Sequence, residues 1–390
     1  MLEKTVATKK SAIIAIYGGG FLVGAAFVFL PSLGKILRNP PYSLSSSIYG
    51  LLYFPEIVGA ILSALSAGFL QDHFKSKGVF RIGIFFNTIA MILLSIASFI
   101  HSSSIYPFLL FETLFYGIGF GLTLAAINHY AAFLFPDTQT KAVTILNALI
   151  GGATAVSPII LGFAQSLFSW GIWSIILLIG FVLVFFIPLP QAQIKNSHKL
   201  PLRLNIIPFM LAVLIYAICE GSFGSWANVY VSINKGQQAY YGILSLSLFW
   251  ASMTVFRFII ALVPKRLVPH KYFYFASAIS IGLCFLILPA LNSALALVLA
   301  FVFAGAACSI YYPFSMSYGL INYPQQQTKV AGLMVAALMV GEGIGSFGLG
   351  PLQNILPLEK IYLFSALWAI PLFILALKLS RKPVTKQKLA

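Results

Sequence analysis

Twelve runs of mainly apolar residues, each about as long as a bilayer is thick, follow one another with only short polar breaks. A membrane span needs about 20 such residues, and the runs fall at 11–32, 46–70, 79–100, 105–134, 139–164, 168–188, 205–232, 240–263, 271–290, 293–322, 327–354 and 357–379. A water-soluble chain could not fold so many inward. With 60% of its residues apolar and only 8% charged, this one lacks the polar surface to cover such a core. The expected fold class is therefore an all-α membrane protein with twelve transmembrane helices, since a helix satisfies its backbone hydrogen bonds without help from lipid.

A short repeat implies that the twelve arose as six plus six. Pro136-Asp-Thr-Gln-Thr-Lys-Ala-Val143 and Pro324-Gln-Gln-Gln-Thr-Lys-Val-Ala331 share a proline and, after two residues, Gln-Thr-Lys, and each lies between two apolar runs. The longest polar stretch falls midway. The expected organisation is a six-helix bundle over 1–188, a cytoplasmic linker over 189–204 and a second, pseudo-symmetric six-helix bundle over 205–390. No other loop is long enough to fold on its own, and no Gly-x-x-x-x-Gly-Lys-Ser/Thr phosphate loop occurs. A built-in ATPase is thereby disfavoured, which leaves an ion or solute gradient as the energy source.

The net charge of +16 reads as topology rather than as a nucleic-acid surface. With the N-terminus inside, 19 of the 24 Lys and Arg fall on cytoplasmic segments, four (Lys35, Arg38, Lys235, Lys360) fall outside, and Arg257 lies within a span. This bias places both termini in the cytoplasm. Lys9 and Lys10 precede a run too long for a signal peptide, so it is expected to remain as the first helix. Cys219, Cys284 and Cys308 are scattered through apolar runs as packing residues, and neither they nor the histidines show metal-ligand spacing. No metal and no cofactor is expected.

Charges inside the spans need a reason, because each costs roughly 2.5–3.5 kcal/mol at mid-bilayer on insertion scales. Glu56, Glu112, Glu220 and Glu342 all lie within apolar runs. At about 1.5 Å per residue, Glu220, Glu342 and Glu56 sit near mid-membrane, whereas Glu112 is closer to the outer surface, where a water-facing or gating role suits it. A carboxyl held away from water can bind and release a coupling proton. Glu220 is the first choice, because Trp226, Asn228 and Tyr230 on the same helix can stack on and hydrogen-bond a polar solute. The alternative for each carboxyl is a structural hydrogen bond between helices. Arg257 either snorkels to the interface, pairs with a carboxylate or binds an anionic solute. Tyr17, Asn128 and Asn147 complete the candidate cavity, with packing as the alternative for each, and His129 is read as a solvated or capping residue.

The end of the second run carries Gly68-Phe-Leu70-Gln-Asp72-His-Phe-Lys-Ser-Lys77, followed by Arg81. This resembles the Gly-x-Leu-x-Asp-Arg-x-Gly-Arg-Lys loop of the major facilitator superfamily, with Gly68, Leu70, Asp72 and Lys77 matching, His73 in place of the arginine and Lys75 in place of the second glycine. The resemblance implies a loop that latches one conformation through the aspartate, a helix end and neighbouring basic residues. Tyr216 to Tyr230 and Asn128 resemble sugar-permease-like branches related to fucose permeases. Thr113 ahead of Gly117, and Ser157-Pro158-Ile-Ile-Leu-Gly162, depart from the exporter branches, which place an arginine and Gly-Pro-x-x-Gly-Gly there.

The resemblance implies a monomeric secondary active transporter in the bacterial inner (plasma) membrane, moving a small polar organic solute by alternating access with proton-coupled uptake. A proton-antiport exporter of a drug, siderophore or metabolite is the runner-up, and a transport-dead receptor or sensor the alternative of another class. No nucleophile–base pair or metal constellation suggests an enzyme.

Overall fold

The computed structural model describes residues 2–135, 139–167, 169–191, 206–263, 270–323 and 327–380. Eleven helices in it are long and apolar enough to cross a bilayer. They are span 1 (Lys9–Arg38), span 2 (Ser46–Gln71), span 3 (His73–Ala97), span 4 (Ser103–Ala131), span 5 (Ala142–Gln165), span 7 (Ile207–Asn234), span 8 (Ala239–Ile260), span 9 (Lys271–Ala290), span 10 (Ala294–Asn322), span 11 (Val330–Leu352) and span 12 (Leu358–Leu379). Span 6, Gly171–Phe186, has 16 residues. After it the backbone is extended at Ile187, and beyond that the Pro188 carbonyl accepts from Ser11 Oγ at 2.9 Å and the Pro190 carbonyl from Tyr130 Oη at 2.8 Å.

The duplication is visible in the packing. Span 1 packs on spans 4, 5 and 6, and span 7 packs on spans 10, 11 and 12; span 2 lies against span 4 as span 8 lies against span 10. In both halves the Gln-Thr-Lys sequence is helical and lies in the helix that carries the fifth or eleventh span, Gln139–Leu167 and Gln327–Leu352. The residues ahead of these glutamines, and most of the segment joining the halves, lie outside the described residues. The two halves meet through spans 1 and 7, 2 and 11, and 5 and 8. With an even number of crossings, both ends of the chain lie on one face of the bundle, here called the near face, with the far face opposite.

Lipid tails are as apolar as leucine, so close approach of backbones, rather than exclusion of water, holds such helices together. The seam between spans 7 and 11 shows this. A Cβ on Gly341 would lie 2.1 Å from the Leu214 carbonyl oxygen, and one on Gly345 would lie 2.2 Å from that of Ile218. Span 1 meets span 5 in the same way at Gly24, where a Cβ would fall 2.4 Å from the Ile150 carbonyl oxygen. The three cysteines are free and buried.

Spans 2 and 3 form one long helix, Tyr53–Ala97, broken at Lys75 with φ 58° and ψ 170°. That backbone conformation is nearly exclusive to glycine, and Lys75 occupies the position where the facilitator loop carries its second glycine. His73 Nδ1 lies 3.0 Å from the Phe69 carbonyl, and Ser76 Oγ lies 3.1 Å from His129 Nδ1 on span 4, which ties the loop to the bundle. Gly68 is exposed, Leu70 and Lys77 are half-buried, and Arg81 lies over the Phe185 ring at 5.8 Å. The Asp72 side chain lies outside the described residues. Lys75→Gly is expected to raise the thermal midpoint of the detergent-solubilised protein by the equivalent of about 1 kcal/mol, the relieved strain exceeding glycine's greater unfolded-state freedom. A lowered midpoint would mean that the lysine side chain contributes more than its backbone costs.

Candidate functional site

Two prolines interrupt helices beside the polar contacts of this bundle. Proline has no N–H to give the carbonyl four residues earlier and its ring crowds that carbonyl. Pro31 accordingly breaks span 1 between Phe27 and Phe29, at Val28 (φ −98°, ψ 12°). In span 10, Pro313 leaves the Ser309 carbonyl without its helical donor, and the helix breaks between Cys308 and Tyr311.

The second break receives Arg257. Its Nε donates to the Ser309 carbonyl at 2.9 Å, and its Nη2 lies 3.0 Å from Met253 Sδ and 3.8 Å from Glu220 Oε1. Of the roles open to Arg257, the structure thus shows pairing with a carboxylate. Tyr216, one turn before Glu220, donates to the Cys308 carbonyl at 2.8 Å and stacks on Tyr311 at 5.6 Å. Glu220 is buried, while the Arg257 side chain keeps 39% of its surface exposed.

The first break lies against the other half of the molecule. Asn228 Nδ2 donates to the carbonyls of Pro31 and Ser32 at 3.3 and 2.8 Å. Beside it, Tyr53 Oη donates to the Ser225 carbonyl at 3.2 Å and shares a 2.7 Å hydrogen bond with Tyr49 Oη. Ser47 Oγ reaches the Gly350 carbonyl at 3.4 Å, and Ser247 Oγ donates to the Ala155 carbonyl. Gly50 faces Gly350 so closely that a Cβ on it would lie 2.8 Å from the Gly350 Cα. Among the described residues, these bonds between halves all lie on the far-face side of mid-membrane. Toward the near face, Gly151 of span 5 lies against Thr254 of span 8, and Asn147, one turn further on, is exposed.

Behind this seam is a cavity of about 40 Å³, room for about three waters. Pro31, Tyr53, Ser225 and Ser346 close it toward the far face, and Ala60, Phe120 and Met339 toward the near face. Phe27 and Trp250, from opposite halves, meet edge to face at 5.6 Å along its wall. Glu56 from one half and Glu342 from the other both line it, and no basic residue does. Neither carboxyl is hydrogen-bonded or ion-paired to a described residue, and Trp250 Nε1 is buried without a partner. Glu112 is buried in span 4, likewise without a described hydrogen bond. Among the described residues, no group of His, Cys, Asp or Glu could hold a metal ion.

The remaining candidates have partners in the protein, except that the Tyr230 hydroxyl is buried without a hydrogen bond. Trp226 Nε1 donates to the Ser346 carbonyl at 2.8 Å, and Tyr230 is buried with its ring stacked on Tyr362 at 4.7 Å. Tyr17 Oη donates to the Ala142 carbonyl at 3.1 Å, between spans 1 and 5. Asn128 and Asn147 each donate to a carbonyl four residues back in their own helix. Trp226 and Tyr230 share a face of span 7, four residues apart, whereas Asn228 points away from them. The three could not all have faced one solute. Tyr53, Ser225, Ser346 and Trp250 went unnoticed in the sequence; Tyr53 had a signal, lying seven residues inside its span rather than at the membrane surface.

Replacing Asn228 with Ala removes two bonds across the seam, about 1–2 kcal/mol. The far face should then open more often, and a thiol-reactive probe added from that side should label a Ser225→Cys reporter roughly five- to thirtyfold faster. Unchanged labelling would mean that the seam holds without Asn228.

The sequence matches the Major Facilitator Superfamily over residues 11–346. No curated protein matches it. Among solved structures, it superposes on a D-xylose-proton symporter with a TM-score of 0.78 at 13% identity, covering 96% of this chain and 98% of that one. The xylose transporter XylE from E. coli, in an inward open conformation, gives a TM-score of 0.74 at 15% identity, with 97% and 98% covered. The nucleoside transporter NupG gives 0.73 at 14% identity, with 96% and 100% covered.

Proposed function

Since this chain belongs to the major facilitator superfamily, and is thus a transporter and not an enzyme, we propose that it takes up a small polar organic solute together with protons. The observation that carries this reading is the pair Glu56 and Glu342, which bring one carboxyl from each half to a cavity on the interface, behind the closed far-face seam. Two negative charges with no basic residue among the cavity's lining residues are costly in a low-dielectric site, and protons relieve that cost. Glu220 is already paired with Arg257 and serves as a second proton site or as the holder of that arginine. The named relatives, a D-xylose-proton symporter and a nucleoside transporter, make sugars and nucleosides the first solutes to try. The charge bias along the chain supports the near face as cytoplasmic, and the working unit of this proposal is a monomer in a bacterial inner membrane.

The test is solute-triggered proton movement in proteoliposomes with a pH dye inside, across sugars, nucleosides, organic acids, amino acids, siderophores and cationic drugs. Acidification accompanying entry of one solute, abolished in Glu56→Gln and Glu342→Gln, is the expected result. Solute flux without proton movement would make the protein a uniporter or tie it to another ion. Proton movement opposite to the solute would make it an exporter.

A further inference from the structure

A second and larger cavity, about 460 Å³, opens at the far face where spans 1, 5 and 8 meet. We infer that it is a binding site for an anionic phospholipid, with one acyl chain lying in the crevice and the headgroup phosphate against Lys35. The inference does not depend on which solute is carried.

The walls are those of a chain-binding slot. Ile36, Ile159, Leu161, Phe163, Ile243 and Leu244 line it. Its rim faces outward from the bundle, with Ile159 47%, Phe163 66% and Tyr240 63% exposed. Ile159 and Phe163 lie within the last two turns of span 5, and at about 1.5 Å per residue this puts them no deeper than roughly 10 Å from its end. A lipid from the far leaflet reaches that depth without leaving its layer. A polar solute would find little there to bond.

Charge selects the headgroup. Lys35 lies in the crevice wall at the membrane surface, and no described carboxylate pairs with it. One turn on, Arg38 has Nε and Nη1 buried without a hydrogen-bond partner. Arg38 lies outside the crevice, so the crevice wall carries one cation, Lys35, with no described acid to match, and a basic side chain at the surface of a charged bilayer attracts anionic headgroups.

Both halves build the slot, spans 1 and 5 from one and span 8 from the other, and Asn228, which bonds span 1 across the seam, is part of its wall. A chain can occupy it only while the far face is closed. Its occupant therefore favours that conformation by mass action.

The test uses the whole protein in liposomes doped with phosphatidylglycerol carrying a photoactivatable diazirine on one chain close to the glycerol, with the same modification on phosphatidylcholine as control. Labelling should concentrate on peptides covering 159–165 and 239–244. Phosphatidylglycerol should exceed phosphatidylcholine there by about fivefold, which corresponds to the ~1 kcal/mol one basic residue contributes near a charged bilayer. Lys35→Gln should bring the two lipids level. Equal labelling by both lipids in the native protein, labelling elsewhere, or an unchanged ratio in Lys35→Gln would overturn the assignment.

Discussion

Lipid offers a peptide group no hydrogen bond, so each backbone carbonyl in this bundle needs a partner from the protein. Helices answer that demand wherever the ladder is intact. Where proline interrupts it, the acceptors come from the main chain and the donors from side chains on neighbouring spans. Arg257 takes the Ser309 carbonyl that Pro313 leaves without a helical donor, and Asn228 takes two carbonyls beside the Pro31 break. At Ser309 the position of a polar contact follows directly from the position of a proline.

The seam between the halves uses the same currency. Tyr53, Ser47, Ser247 and Asn228 all donate to carbonyls of the opposite half. A carbonyl is fixed to its helix, so a tilt of one half breaks several such bonds at once, whatever the rotamers do. Each is worth of order 1 kcal/mol or less. Their sum is comparable with the roughly 2.3 kcal/mol that one charge gains in crossing 100 mV. A closure of that strength can be undone by the driving forces a membrane ordinarily supplies, and the glycine pair Gly50 and Gly350 lets it re-form without a directional contact.

Most of the fold could be read from the sequence. Span limits came within six residues of those observed, because hydropathy along a chain reports the bilayer's thickness directly. The duplication was visible in Gln-Thr-Lys, which lies in equivalent helices of both halves. The site was legible only as a set of costly charges. That Glu220 meets Arg257 depends on spans 7, 8 and 10 converging, and that Glu56 faces Glu342 depends on spans 2 and 11 adjoining across the interface. Sequence spacing contains neither fact. Within span 7 the spacing was informative and had been underused, since residues two apart, such as Trp226 and Asn228, stand on different sides of a helix.

Span 6 raises a question of thickness. Its 16 helical residues reach roughly 24 Å, short of a hydrocarbon core of about 30 Å. Beyond the helix the backbone turns extended at Ile187, and extended chain advances about 3.3 Å per residue, more than twice the helical rise. Pro188 and Pro190 bring no N–H to be satisfied, and Ser11 and Tyr130 cover their carbonyls, so these two residues leave no backbone group unpaired where the helical ladder has stopped. Two prolines thus let the chain leave the ladder early at little cost, where a longer helix would have needed two further turns.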